Sequence, residues 1–548
     1  MTQYLLAIEA DQIQDFIFRS SRLREVVGGS QLLTRFGDAT NPSSALRQLL
    51  STAGGCEIIT AGGGNFRLIF DDLKRALRFG EELSEVYRLT TGGTLSVAEP
   101  VRIGGDDAEA GKQAERNLRL TKHRKGGAAG TAHLPYTALC ASCGLGLATG
   151  HDKREGDTEK RYICPECSAK NEERRTNEAG EFLEPFFRKI MGDLPLDKCR
   201  WPGNDPSAGS EKEKNDPTAS IAGFDHRSYV AYVLADANNM GRAFEVCDRE
   251  QARRLSLDLS DILRESLAEP ARILKKAQNE ADRMGVDYIP VLPLILGGDD
   301  IFALIPAPWA LDFAYRLCSA FDEKMKREFE ELKISTRLPS PTISAAVVIC
   351  KSNYPYYLAY RTGEKRLREA KRVAKGLTLR EDLSRSAINY EIITGSQLVH
   401  HEDGAGDLRN TLRPYWAGAE EGPVPPEWGE SIETLIDQRK ELIGLPGKRR
   451  AQLRAHFDDL RWAEHKDMEE KKKELYSIVN RIGRDKKHGE KIRRALRRLG
   501  DGNEGGLRDI GRIGVDANCW SGHGLPDLLD AWHFTMPLDV PRSVYEES

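Results

Sequence analysis

One phrase of secondary structure occurs twice in this sequence, and that repetition constrains the fold more than any single motif does. Near the start, Tyr4-Leu-Leu-Ala-Ile-Glu9-Ala-Asp11 is an apolar run that ends in acids, with Ile13, Phe16 and Ile17 following at helical spacing. A run of the same kind follows Tyr229: Val230-Ala-Tyr-Val-Leu-Ala-Asp236-Ala-Asn238, with Met240 and Phe244 behind it. Each run is followed by hairpin grammar, two apolar strands around a glycine turn. In the first copy the turn is Gly62-Gly63-Gly64-Asn65, and in the second it is Gly297-Gly298-Asp299-Asp300. Helical stretches follow at 73–89 and 309–329, then further strands at 94–98 and 342–349. Four elements recurring in register, roughly 225–250 residues apart, predict a duplicated α+β module. Helices alternating with a mixed sheet suggest a ferredoxin-like split βαβ in each copy.

The remaining sequence divides around these copies. Residues 131–224 hold two pairs of cysteines and a polar, Pro- and Gly-rich linker, and beyond about residue 405 strand signals fade into helical periodicity over 431–499. The predicted organisation is therefore a first module at 1–130, an insert at 131–224, a second module at 225–404 and a helical domain at 405–548. A charged fraction of 30% against 39% apolar suits several modest cores rather than one large one. The net charge of −4 excludes a uniformly basic nucleic-acid protein but leaves room for a local basic face. The longest apolar stretch, 289–296, is interrupted by two prolines and falls far short of the ~20 residues of a membrane span. The N-terminus lacks the basic region of a signal peptide. Ten cysteines, four of them in short pairs, fit a reducing cytoplasm and one metal site better than a disulfide framework.

The chemistry concentrates at Gly297-Gly298-Asp299-Asp300. The glycines allow a tight turn and leave room for a phosphate to approach, and two adjacent carboxylates suit an oxygen-liganded Mg²⁺ or Mn²⁺. Asp236 ends the first strand of the same module, which a split βαβ sheet places beside the hairpin. Asp236, Asp299 and Asp300 together suit a two-metal site for attack on a phosphate. The same four letters at Gly104-Gly105-Asp106-Asp107 lack a second hairpin strand and read as a surface turn. The first module keeps Glu9 and Asp11 but has no acid in its turn, and is read as non-catalytic. After the second module's last strand, Lys371 and Lys375 lie one turn apart on a helix, where they would either hold a triphosphate or form a solvated face. Cys140-x₂-Cys143 and Cys164-x₂-Cys167, separated by 20 residues, fit a structural tetrahedral Zn²⁺. The stretch 448–499 carries an excess of bases, which suits either a nucleic-acid backbone or a solvated bundle.

Taken in order, the duplicated module, the Gly-Gly-Asp-Asp hairpin confined to the second copy, the four-cysteine insert and the helical C-terminal domain resemble the polymerase-like large subunit of type III CRISPR effector complexes. The opening Ile8-Glu9-Ala-Asp11-Gln-Ile-Gln-Asp15-Phe16, with Arg22-Leu-Arg-Glu25 and Gly28-Gly-Ser30, is also similar to that family's first palm. The resemblance implies two palm domains, the second converting ATP to cyclic oligoadenylates when the complex binds target RNA. It implies Asp236, Asp299 and Asp300 as metal-binding acids, Gly297 and Gly298 along the nucleotide's path, and partners that comprise other complex subunits, CRISPR RNA and target RNA. Many family members begin with an HD nuclease domain. Here the first palm strand starts within a few residues of Met1, and neither His151-Asp152 nor His400-His401-Glu402-Asp403 lies in a suitable domain, so no HD-type nuclease is expected. Two other readings of the same residues remain: an RNA-binding scaffold with an inactive palm, and a diguanylate-cyclase-like enzyme acting on GTP.

Overall fold

The computed structural model describes residues 2–124 (except 21, 40, 43, 55 and 106), 138–152, 160–176, 183–205, 216–279, 287–394 (except 336, 337, 382 and 383), 411–418, 429–462, scattered positions over 470–484, then 488–502, 508–510 and 520–540. The His400–Asp403 run, the middle of the linker, Asp106 and much of the basic stretch after residue 462 lie outside the described residues.

The first unit runs β1 (Gln3–Ala10), α1 (Ile13–Phe18), α2 (Leu23–Gly37), α3 (Ala45–Ala53), β2 (Cys56–Gly62), β3 (Asn65–Phe70), α4 (Leu73–Thr91), β4 (Leu95–Val97), β5 (Val101–Ile103) and α5 (Asp107–Arg124). Its sheet has the order β2-β3-β1-β4, with β5 also on β1 and every pairing antiparallel. The insert contains β6 (Gly150–Asp152), β7 (Arg161–Ile163), α6 (Pro165–Thr176) and α7 (Glu184–Met191), and α8 (Pro217–Ala222) leads out of it. The second unit runs β8 (Tyr229–Asn238), α9 (Met240–Val246), α10 (Arg249–Asn279), β9 (Leu292–Gly297), β10 (Asp300–Pro306), α11 (Ala310–Glu331), β11 (Thr342–Lys351), α12 (Tyr356–Glu381) and β12 (Ser386–Ile392). Four of its strands repeat the first sheet as β9-β10-β8-β11, the order of a split βαβ sheet. The repeat inferred from sequence is thus a repeat of topology.

The second sheet is the larger of the two. β12 joins β11 in parallel, and β13 (Tyr415–Ala417) pairs with β12, so this sheet extends past residue 404. Helices α13 (Ile432–Glu441), α14 (Gly447–Trp462), α15 (Gly489–Arg498) and α16 (Gly524–Asp530) make up most of the C-terminal region, together with a short two-stranded ribbon, Arg508–Ile510 and Trp520–Gly522. They share one apolar core with the second palm, through residues such as Trp309, Phe313, Leu435, Leu496 and Trp532. Asp527 fixes this junction: Tyr415 Oη donates to it at 2.7 Å and the Leu412 amide at 2.8 Å.

Local sequence explains the placement of β8 and its neighbours. Every residue of β8 is buried except Asp236, as expected of a central strand covered on both faces. Pro293 lies in β9, an edge strand, beside a register shift opposite Phe302 and Ala303. There its missing N–H costs no interior ladder bond.

The insert is fastened to the first palm by buried polar groups. Glu25 of α2 is fully buried and accepts from Ser142 at 2.8 Å and Asn171 at 3.2 Å, as well as from Ser20. Lys170 of α6 is 1% exposed, donates to the Phe16 carbonyl and lies 4.1 Å from the centre of that ring. Arg19 meets Glu166 at 2.9 Å. On its other side α1 reaches the second palm, where Phe18 stacks on Tyr360 with ring centroids 3.8 Å apart and lies edge-on to Phe302 at 5.3 Å.

The two hairpin turns also meet. Gly63 and Gly298 both have positive φ, +57° and +65°, and a Cβ added to Gly63 would lie 2.7 Å from the Gly298 Cα. Only glycine fits such an approach without moving backbone. Gly63→Ala is expected to destabilise the chain by about 1–3 kcal/mol through strain and overpacking. Gly62→Ala, whose Cβ would meet nothing within 4 Å, should cost less than about 1 kcal/mol. Urea denaturation of both variants checks the difference.

Candidate metal centres of the palm and insert

The sheet register assembles the acidic site. β10 pairs with β8 so that Asp300 lies directly opposite Asp236, and the turn places Asp299 next to them. One carboxylate oxygen from each of Asp236, Asp299 and Asp300 falls within 4.8 Å of the others. Three acids so close repel one another unless protons or cations intervene. Burial, then the charges of Asp236 and Asp299, push the Asp300 carboxyl up to about 8. Burial also raises Asp236, against the opposing pull of Lys371. An oxygen-only donor set with suppressed ionisation and a glycine turn beside it fits a hard divalent cation such as Mg²⁺ or Mn²⁺.

Helix α12 supplies the charged groups facing these acids. Lys371 ion-pairs with Asp236 and also donates to the Ala237 carbonyl at 3.2 Å. In the metal-free protein its ammonium thus stands in for a cation at the carboxylates, rather than projecting into solvent. Lys375, one turn on, is exposed. Two residues that the sequence reading passed over belong to the same face: Glu364, whose charge adds to the elevation of Asp300, and Tyr360, which hydrogen-bonds Glu364. Glu364 and Lys371 are seven residues apart, two helical turns, and that spacing was the available signal.

The first palm preserves the framework without the acids of the turn. Glu9 occupies the register position of Asp236, opposite Asn65 and Ser96 where Asp236 faces Asp300 and Ser344. Glu9 pairs with Lys122 of α5 at 2.6 Å, the counterpart of Asp236 with Lys371. Asp11 accepts from Ser96 at 2.7 Å and Thr94 at 3.1 Å; in the second palm Asn238 donates to Ser344 and Thr342, each at 3.0 Å. Gly64 and Asn65 stand where Asp299 and Asp300 stand in the second palm.

In the insert the four sulfurs of Cys140, Cys143, Cys164 and Cys167 also lie within 4.8 Å of one another. The Cys143–Cys164 Sγ separation is 3.8 Å. That is too long for a disulfide, and equals the edge of a tetrahedron with metal–sulfur bonds of about 2.3 Å. Hydrogen bonding, chiefly from Cys167, favours the Cys164 thiolate and lowers it to about 5. The donor set fits Zn²⁺ with no open position. His151 is exposed on β6 with its ring against Tyr162 and is not in the cysteine cluster. Of the other cysteines, Cys199, Cys318 and Cys350 are buried, Cys56 and Cys247 half-buried. In the C-terminal region several bases of the 448–499 stretch are ion-paired, Arg454 with Asp530 at 2.6 Å and Arg497 with Glu490 at 3.2 Å.

Residues 229–378, from the start of β8 into α12, match the family model of the Cas10/Cmr2 second palm domain. The chain carries a palm domain of the Cas10/Cmr2 type. Among solved structures, the Csm1–Csm4 cassette in complex with cA3 aligns with TM-score 0.50 and 15% identity, over 98% of this chain and 70% of that one. Csm1 of T. onnurineus aligns with TM-score 0.45 and 15% identity, over 88% of this chain and 64% of that one. The apo Csm1–Csm4 cassette gives 0.42 and 17%, over 70% and 53%. The chain thus spans between about half and two thirds of the length of the latter two. At 15% identity the likeness to the cA3-bound cassette is one of fold. A comparison with curated proteins finds no sequence match. No helix among the described residues is long and apolar enough to cross a membrane.

The acid cluster of this Cas10-type palm has a pH signature. The folded value of Asp300, about 8, lies above the ordinary carboxylate value of 3.8. Its protonated form therefore stabilises the fold fully at low pH, and that contribution is lost as pH rises through about 8. Metal-free Asp300→Asn should lack this loss, melting roughly 2–4 °C above the parent at pH 8.5, the size of a 1 kcal/mol effect. Mg²⁺ should stabilise the parent and leave the variant unmoved. Thermal melts at pH 5.5 and 8.5, with and without Mg²⁺, check both.

Proposed function

We propose that this chain is a nucleotidyltransferase that converts ATP to cyclic oligoadenylates as the large subunit of a type III CRISPR effector complex. The observation that carries the reading is the meeting of Asp236, Asp299 and Asp300 on the hairpin of a Cas10/Cmr2 second palm. Bound there, two Mg²⁺ or Mn²⁺ ions would activate a 3′-hydroxyl and stabilise charge on the α-phosphate and departing pyrophosphate. The chain's own part is positional and electrostatic. Asp236 holds its place because β8 is clamped between β10 and β11, and Asp299 and Asp300 because the turn is short. Gly297 and Gly298 carry no side chain to obstruct a phosphate path. With a cation held by Asp236, Lys371 would be free to hold the triphosphate, with Lys375 one turn beyond it. The burial that raises Asp236 and Asp300 also keeps water from screening these charges.

In this reading the first palm and the Zn²⁺-holding insert are structural. The insert grips α1, and α1 carries Phe18 against the aromatic cluster behind β10. The partners in this reading are the other subunits of the complex, CRISPR RNA and target RNA.

The assembled complex, given ATP, Mg²⁺ and target RNA, should release cyclic oligoadenylates. Asp299→Ala/Asp300→Ala should lower that rate at least 10³-fold, roughly the 4 kcal/mol expected when transition-state charge stabilisation is removed. Equal activity in that variant overturns the reading. No turnover with normal RNA-dependent assembly favours an RNA-binding scaffold. Turnover of GTP in preference to ATP favours a diguanylate-cyclase-like enzyme.

A further inference from the structure

Helix α12 lies so close to β8 that a side chain at one of its positions would collide with the strand's. A Cβ added to Gly363 would stand 3.0 Å from Cδ2 of Leu234, 3.2 Å from its Cγ and closer still to its Cδ1. Leu234 is 3% exposed and belongs to the main core, so it has little room to turn aside. Glycine is a poor residue for a helix interior, and this close approach explains its presence inside α12. Leu234 comes two residues before Asp236 and so points from the same face of the strand. Lys371, two helical turns after Gly363, ion-pairs with Asp236 and donates to the Ala237 carbonyl at 3.2 Å.

The first palm holds the same device with its space divided differently. Aligned on their lysines, α5 and α12 carry Ala110 and Ala359, Ala114 and Gly363, Leu118 and Leu367, then Lys122 and Lys371, each pair four residues after the last. Residues at that spacing are neighbours on one side of a helix. Glu115 and Arg119 of α5 also recur, as Glu364 and Arg368. Lys122 pairs with Glu9 as Lys371 does with Asp236. Two residues before Glu9 stands Ala7, fully buried in one apolar cluster with Ala114 and Leu118. An alanine–alanine pair in the first palm thus occupies the positions of the leucine–glycine pair in the second. The packing residues differ between the copies, and what both retain is a lysine brought to the strand carboxylate.

An ammonium held at Asp236 opposes a divalent cation at the same carboxylate, because the two positive charges repel. We infer that Gly363 is a positioning residue of the acidic site: by letting α12 close on Leu234 it delivers Lys371 to Asp236, and the delivered ammonium sets how tightly the three acids hold a divalent cation. The inference rests on the reading of Asp236, Asp299 and Asp300 as a metal site and names what limits that site's affinity. Gly363 acts through the helix. A larger residue there overpacks against Leu234, lifts α12 from the strand and draws the Lys371 ammonium away from Asp236.

The test uses the full chain with zinc bound and Mn²⁺ as the probe, with affinity read by electron paramagnetic resonance of the free ion and the fold checked by circular dichroism. Lys371→Gln should bind Mn²⁺ about tenfold more tightly than the parent, because an opposing charge has gone. Gly363→Ala should bind it about threefold more tightly, as the helix shifts by part of a side chain's width. In the Lys371→Gln background Gly363→Ala should add nothing, as expected of two changes that act through one contact. Leu234→Ala/Gly363→Ala installs the pair of the first palm and should restore the parental affinity. If Gly363→Ala alone does not fold, this double variant carries the test, since it must fold and bind Mn²⁺ as the parent does. Parental affinity in a folded Gly363→Ala, or an effect that persists undiminished in the Lys371→Gln background, overturns this inference alone. Absence of Mn²⁺ binding by the parent overturns the reading of the three acids as a metal site, and this inference with it.

Discussion

Three carboxylates that repel one another are held together by a buried strand, and much of the second palm serves to keep them there. β8 is apolar along its length and buried on both faces, so its register with β10 and β11 cannot slip without exposing the core. That register sets Asp236 against Asp300. The positive φ of Gly298 turns the chain so that Asp299 completes the group. The resulting charge is met from inside the fold by Lys371 and in part by protonation of Asp300. A divalent cation would replace both. One ammonium and one proton thus offset part of the negative charge of the three acids in the structure.

The first palm shows what remains of such a site when the turn loses its acids. The strand carboxylate, its lysine partner and the hydroxyl pair on the neighbouring strand persist as Glu9, Lys122, Thr94 and Ser96. With Gly64 and Asn65 in the turn, the carboxylates that remain are Glu9, paired with Lys122, and Asp11, which accepts from Ser96 and Thr94, and the turn adds no further negative charge. The two turns lie against each other through Gly63 and Gly298. The turn of the first palm therefore forms a wall beside the acidic one, and Gly63 is explained by that proximity.

The duplication, the acid triad and the four-cysteine cluster were legible in the sequence because each depends on short-range patterning: strand alternation, a glycine turn, Cys-x₂-Cys spacing. What was hidden depends on how distant elements meet. The lysine-rich face of α12 was read as either a triphosphate holder or a solvated surface. The structure instead turns Lys371 back onto Asp236, a contact no local pattern specifies. Glu364 looked like one charge in a charged helix, and only the position of α12 over the sheet gives it a role beside Asp300. The parallel pairing of β12 and the late addition of β13 escaped notice because a single short strand after a helix carries little periodicity.

The central claim is that divalent-metal affinity belongs to one of two palm frameworks with the same strand order. Counting bound Mn²⁺ by electron paramagnetic resonance on the zinc-loaded chain tests it most directly. The account predicts that Asp236→Ala/Asp300→Ala abolishes specific Mn²⁺ binding while Glu9→Ala leaves it at the parent level. Retained binding in the first variant, or its loss in the second, would contradict the account.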